Sequence, residues 1–161
     1  MVALLLLLAT APPGREAIGV WQGWGTFRDR TPARCYAIAR PVPTGQRRDG
    51  WASVARWPDR GVRASLHVRL SRARDRSAPV TLTVGGGVDG AGGERRFTLA
   101  ANTADAWAAD APSDRAIVTA LRGARSMSVE AVGEGGRPFA DTYALAGAAT
   151  AIDAAVLACA G

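Results

Sequence analysis

Lysine is absent from the 161 residues: all 20 basic side chains are arginines, set against 14 acidic ones for a net charge of +6. With the abundant alanine and glycine, this reads as compositional bias rather than selection on one site. Histidine occurs once, at His67, and cysteine twice, at Cys35 and Cys159. Two thiols and one imidazole at unrelated spacings cannot make a closed zinc site. No Gly-x-Ser-x-Gly elbow is present, so the usual nucleophile turn of a serine hydrolase is missing. No Asp-x-Asp-x-Asp run marks a calcium loop. No apolar run approaches the ~20 residues that a membrane-crossing helix needs.

What is present begins with Met1-Val2-Ala3, five leucines (Leu4 to Leu8) and Ala9-Thr10-Ala11. A short apolar run ending in a small-x-small triplet has the form of a signal peptide, with cleavage expected after Ala11. Residues 1–11 are therefore read as leader, and residues 12–161 as one domain. About 150 residues suit a single domain with a real core. Hydrophobic content, at 48%, is ordinary for a globular chain.

Two cysteines in an exported chain suit one disulfide. A Cys35–Cys159 bridge would close a very long loop, for which chain entropy gives roughly 4 to 5 kcal/mol. The alternative is two separately buried thiols.

The strand signals are clear. Val62, Ala64, Leu66, Val68 and Leu70 alternate with Arg63, Ser65, His67 and Arg69, which predicts a strand with one packed and one wet face. Val80, Leu82 and Val84 repeat the pattern, and Arg96 to Ala100 resumes it after the glycine-rich stretch Gly85 to Gly93. That stretch lacks the Gly-Lys-Ser/Thr of a phosphate loop and leads into a strand, so it is read as a hairpin tip. Cys35 to Val42, Trp51 to Trp57, Met127 to Val132 and Phe139 to Leu145 complete the strand set. Two helices are expected. The first is capped by Ser113, carries Ile117, Val118 and Leu121 inward, and ends at Gly123. The second runs from about Ala148 to Ala158, with Ile152, Ala155, Val156 and Cys159 on one face. The fold class is therefore mostly β: an antiparallel β-sandwich of about six to eight strands with two short helices, the second at the C-terminus.

Candidate chemistry is sparse. His67 falls on the polar strand face between Arg63 and Arg69, cationic surroundings that favour an exposed structural role over that of a general base. The carboxylates are scattered through turns and helix starts, and nothing singles out a catalytic pair. Arg63, Arg69, Arg72, Arg74 and Arg76 cluster within one stretch of chain, and a planar guanidinium grips carboxylate or phosphate. They form a candidate anion- or partner-binding patch, toward an anionic membrane surface or envelope polysaccharide. The bland alternative is a solvated surface, with arginine blunting an edge strand and tryptophan filling the core. No cofactor or metal is expected, and an exported compartment argues against nucleic acid.

The C-terminal half carries a recognisable order. Ala106-Trp107-Ala108-Ala109 leads to the Ser113–Arg122 helix, then Ser126-Met127-Ser128-Val129, a hairpin, and Tyr143-Ala144-Leu145-Ala146-Gly147 entering the last helix. Near the N-terminus stand Trp24-Gly25-Thr26-Phe27 and Arg34-Cys35-Tyr36. Together these resemble the invasion-associated locus B family of exported alphaproteobacterial proteins. Ala148 stands where that family has an aromatic, and the cysteines expected before the middle helix are absent. The resemblance implies an all-β exported domain of the cell envelope, linked in some pathogens to host-cell entry, and it implies no reaction or active site. The expectation is a periplasmic or secreted, non-enzymatic binding or interaction domain whose partner is a protein or envelope component. The alternatives are an envelope hydrolase using His67 or a carboxylate pair, and an arginine-based binder of anionic lipid or polysaccharide.

Overall fold

The computed structural model describes residues 14–44, 49–86 and 93–160. The expected leader, most of the glycine-rich tip and the centre of the loop after Val42 lie outside the described residues. The chain order is β1 (Arg15–Trp21), β2 (Trp24–Arg30), β3 (Ala33–Ala39), β4 (Trp51–Trp57), β5 (Val62–Arg69), β6 (Val80–Gly85), β7 (Arg95–Ala101), β8 (Asp105–Ala108), α1 (Ala111–Gly123), β9 (Ser126–Val132), β10 (Pro138–Ala144) and α2 (Ala148–Ala158). A 3-10 turn, Pro58–Arg60, joins β4 to β5.

The ten strands form one antiparallel sheet in the order β1-β2-β3-β4-β5-β8-β7-β6-β9-β10. The sheet is open, with β1 and β10 at its edges. It curls so that its two halves serve as the two layers of the expected sandwich. Trp24, Val54, Leu66 and Val68 from the first half share a core with Leu82, Val84, Val129 and Tyr143 from the second. The mostly β class and both helices are as expected.

Three strands were not legible in the sequence. On the edge strand β1, Arg15, Glu16 and Gly19 interrupt any apolar alternation, and four of its seven positions are exposed. β8 has only four residues, too few for a period to register. β2 turns Thr26 and Arg28 inward, beside Trp24, because both bond to α2. Thr26 Oγ1 donates to the Ala151 carbonyl at 2.9 Å, and Arg28 donates to the Ala158 carbonyl.

The cap of helix α1 lies three residues before the expected one. Asp110 is the N-cap and accepts from the Ser113 amide at 2.7 Å, with Pro112 in the first turn. A proline there costs no hydrogen bond and sets φ for the helix, which moves the start upstream of Ser113. Ile117, Val118 and Leu121 are buried, as their spacing predicts. Asp114 accepts the Leu66 amide at 2.7 Å, fastening α1 to β5.

Helix α2 begins at Gly147, whose φ of +84° is left-handed. Its Cβ-free position is also required sterically, since a Cβ there would lie 2.2 Å from the Trp21 carbonyl oxygen. Ala148, Ala151, Ile152 and Ala155 are buried. The alanines leave room for the backbone to approach β2 closely enough for the Thr26 bond.

Candidate functional site

The inner face of β3 carries the staple. Cys35 is fully buried and is bonded to Cys159, with Cα atoms 5.8 Å apart across a sequence separation of 124. In register, Cys35 stands opposite Arg28 on β2 and Arg56 on β4. Both arginines therefore share its face and reach the end of α2. Arg28 donates to the Ala158 carbonyl and Arg56 Nε to the Cys159 carbonyl at 3.1 Å. Helix α2 has no basic residue in its last turn. The sheet supplies the positive charge that its carbonyl end favours.

The five arginines expected to form a patch are dispersed. Arg63 and Arg69 occupy opposite ends of β5. Arg69 donates to Asp105 Oδ2 at 2.6 Å. Arg74 is only 6% exposed. Its guanidinium donates to the carbonyls of Asn102, Arg76 and Ala78, so it braces the β5–β6 connection from inside. Arg72 lies over the Phe139 ring at 6.0 Å, and Arg76 is exposed.

His67 lies on the outer sheet face as predicted, with its side chain 45% exposed. Its Nε2 is 3.1 Å from Asp105 Oδ1, so Asp105 bridges His67 and Arg69. The imidazole packs edge-on against Trp51, with ring centroids 4.8 Å apart. Ser53 and Trp107 are its cross-strand neighbours. Among the described residues no hydroxyl or thiol is hydrogen-bonded to His67, and no group of three or more His, Cys, Asp or Glu is placed to hold a metal ion.

The outer face also bounds a cleft of about 840 Å³ between the β2–β3 surface and the segments flanking the β3–β4 loop. Val20, Phe27, Ile38, Val42 and Trp51 line it, with Arg40, Asp49 and Asp141 as charged neighbours. Val20 and Val42 are 72% and 46% exposed. Gly25 shapes the floor, since a Cβ there would come within 3.0 Å of the Phe27 ring. Asp141 is not a free rim charge: it is 1% exposed and accepts from the Ser71 amide at 2.8 Å.

At the other end of the same face, aromatic rings and guanidiniums alternate. Arg15 and Arg34 lie over the Tyr36 ring at 5.7 and 4.6 Å. Arg34 and Arg60 lie over the Trp57 ring at 5.3 and 4.6 Å. Phe27 stacks on Tyr36 at 5.7 Å. Asp29 accepts from Arg15 Nε at 2.8 Å and Arg34 Nε at 2.9 Å. The Arg15 bond, seconded by Arg34, holds the Asp29 carboxyl below its ordinary range against the opposing effect of burial. Sequence reading missed this cluster because its members come from β1, β2, β3, the end of β4 and the turn after it. The Arg34-Cys35-Tyr36 triplet and Trp57 were the available signals.

No protein-family model matches the chain, and no curated protein matches it. Among solved structures, it is similar to the crystal structure of invasion associated protein B from Bartonella henselae. The TM-score is 0.65 at 18% identity, over 87% of this chain and 95% of that one. The two chains share a fold. That agrees with the architecture implied by the motifs around Trp24, Cys35 and Gly147.

Proposed function

We propose that this chain is an exported, non-enzymatic binding domain of the cell envelope, periplasmic or secreted, and a distant relative of the invasion-associated locus B proteins. The observation that carries the reading is the largely apolar cleft on the outer sheet face, bounded by Val20, Phe27, Ile38, Val42 and Trp51. Its volume falls in the range of small-molecule pockets and its lining is largely apolar, which supports a binding role. The Cys35–Cys159 bridge supports an oxidising compartment, as do the leucine-rich leader and the shared fold.

Two experiments test the proposal. Fractionation of native cells, with mass spectrometry of the alkylated chain, is expected to find it outside the cytoplasm, cut after Ala11 and with both thiols oxidised. A cytoplasmic, uncut chain with free thiols would overturn the export. For the cleft, Ile38→Arg is expected to keep the fold but abolish retention of the purified protein on isolated envelopes. Undiminished retention would remove the cleft from the function.

A hydrolase reading rests on the His67–Asp105 hydrogen bond. His67→Gln separates the two readings. Binding is unchanged if His67 is structural, whereas an activity on envelope polymers that His67→Gln abolishes would favour the enzyme.

A further inference from the structure

The Trp57 end of the outer face is built differently from the cleft. Three guanidiniums, those of Arg15, Arg34 and Arg60, sit on two aromatic rings; Asp29 lies between the first two, and the exposed Asp59 precedes Arg60 in the turn. Asp29 is spent: Arg15 and Arg34 both donate to it. Its effect is to fix those two guanidiniums beside Tyr36 rather than to cancel the cluster, which keeps a surplus of positive charge. Arg60 is exposed and forms no ion pair among the described residues. It is nonetheless placed. The 3-10 turn Pro58–Arg60 closes through the Gly61 amide on the Pro58 carbonyl at 3.1 Å, with Gly61 at φ +65°, and this turn brings Arg60 over Trp57.

A guanidinium held on an aromatic face has lost part of its hydration and its rotational freedom, and it still presents N–H donors in its plane. Such groups suit oxyanions, which they meet with charged, directional hydrogen bonds. Two of them share the Trp57 ring, so the site fits an anion that repeats along a chain better than a lone ion. Among the described residues, the large hydrophobic ones that stand exposed are Val20, Val42, Trp107 and Leu157. None belongs to this cluster. An apolar wedge, which interfacial binding to a bilayer uses, therefore has no counterpart here among the described residues.

We propose that Arg15, Arg34 and Arg60, arrayed on Tyr36 and Trp57, form a docking site for an acidic polysaccharide whose carboxylate or phosphate groups recur along the chain. The site is separate from the apolar cleft and from the arginines of the β5–β6 region. It deepens the envelope-binding reading by naming one partner class, and it rests on that reading only for where such a polymer would be met.

The test is direct binding of the purified, oxidised protein to polygalacturonate, with neutral dextran as control. Binding to polygalacturonate alone is expected, weakening steeply as salt rises from about 0.05 to 0.5 M. Arg60→Gln is expected to weaken binding about tenfold, the value of one charge-assisted hydrogen bond. Arg115→Gln on α1 makes the same change in net charge and is expected to weaken it less than about twofold. Arg60 is an exposed turn residue, so an unchanged melting curve confirms that the variant is folded. Arg60→Lys keeps the charge and is expected to recover only part of the affinity. No binding to polygalacturonate at low salt would overturn the proposal. Equal losses for Arg60→Gln and Arg115→Gln would reduce it to bulk charge. Tighter binding to vesicles of anionic phospholipid than to polygalacturonate would assign the site to a membrane surface instead. Each of these failures leaves the Ile38→Arg test of the cleft untouched.

Discussion

The indole Nε1 of Trp24 on β2 donates to the Ala144 carbonyl on β10 at 2.9 Å, joining strands 120 residues apart. These strands lie toward opposite ends of the sheet order, so the bond marks where the sheet curls back on itself. A second tie runs beside it, from the Val42 amide to the Thr142 carbonyl at 2.7 Å. Trp24 is fully buried. Trp24→Phe keeps most of the apolar volume but orphans the carbonyl, and is expected to cost about 1–3 kcal/mol. Trp24→Ala adds a cavity and is expected to cost about 3–5 kcal/mol. Chemical denaturation of both variants checks the order; equal costs would mean that the hydrogen bond, not the packing, dominates.

The disulfide and the two arginines beside it hold the same helix end by independent means. Replacing both Cys35 and Cys159 by serine is expected to lower stability by roughly 2–5 kcal/mol. It should nonetheless leave α2 docked, because Arg28 and Arg56 still hold the carbonyls of Ala158 and Cys159. Hydrogen exchange of the α2 amides reads this directly. Protection should survive in the serine variant and collapse when Arg28→Gln and Arg56→Gln are added.

Gly147 admits no side chain. Its φ is left-handed, and a Cβ would meet the Trp21 carbonyl oxygen at 2.2 Å. The obstacle is backbone, so it cannot swing aside like a side chain. Gly147→Ala must therefore separate β1 from the start of α2. A loss of about 3 kcal/mol or more is expected in thermal unfolding, against a much smaller change for Gly135→Ala, where a Cβ meets nothing within 4 Å.

Two carboxylates, the buried Asp29 and the half-buried Asp114, respond to acid with opposite signs. Asp29 has a folded pKa below its unfolded one, chiefly through the Arg15 hydrogen bond. The stability it contributes is complete above the ordinary carboxylate range, about pH 4, and is lost as pH falls through the lowered value. Burial raises the carboxyl of Asp114, outweighing the Leu66 amide bond. Its ionised form costs stability, and that cost is relieved as pH falls through the raised value. Melting temperature followed from about pH 7 to pH 2 is expected to fall less steeply at the acid end for Asp29→Asn. For Asp114→Asn the gain should appear at the neutral end. A parallel shift of either profile at all pH values would contradict the assignment.

Strands with one apolar and one polar face were readable, because burial on one side imposes a period of two. Val62 to Leu70, Val80 to Val84 and the Met127–Leu145 hairpin show it. The cysteine bridge is expected from the sequence but stays open there against two separately buried thiols; the structure forms it, with Cys159 at the C-cap of α2. Inward-facing polar residues defeated the method. Thr26 is buried and the half-buried Arg28 and Arg56 turn to the α2 side of the sheet because α2 presents carbonyls there, and no local pattern reveals a partner more than 100 residues away. Arg74 misled in the same direction. It belongs to a run of arginines that reads as surface, yet the carbonyls of Asn102, Arg76 and Ala78 draw it inside.

The amino-acid order alone determined the class of structure and the positions of most elements, since periodicity and helical phase are local properties of the chain; it made a Cys35–Cys159 bond plausible, and the tertiary structure joined the two sulfurs. Tertiary structure alone decided that ten strands make one curled sheet and that the expected arginine patch is scattered. It also decided that Arg15, Arg34 and Arg60 gather on Tyr36 and Trp57. The physical reason is that a surface is assembled across strands, by register and curl, and neighbours across a sheet carry no mark of one another in sequence.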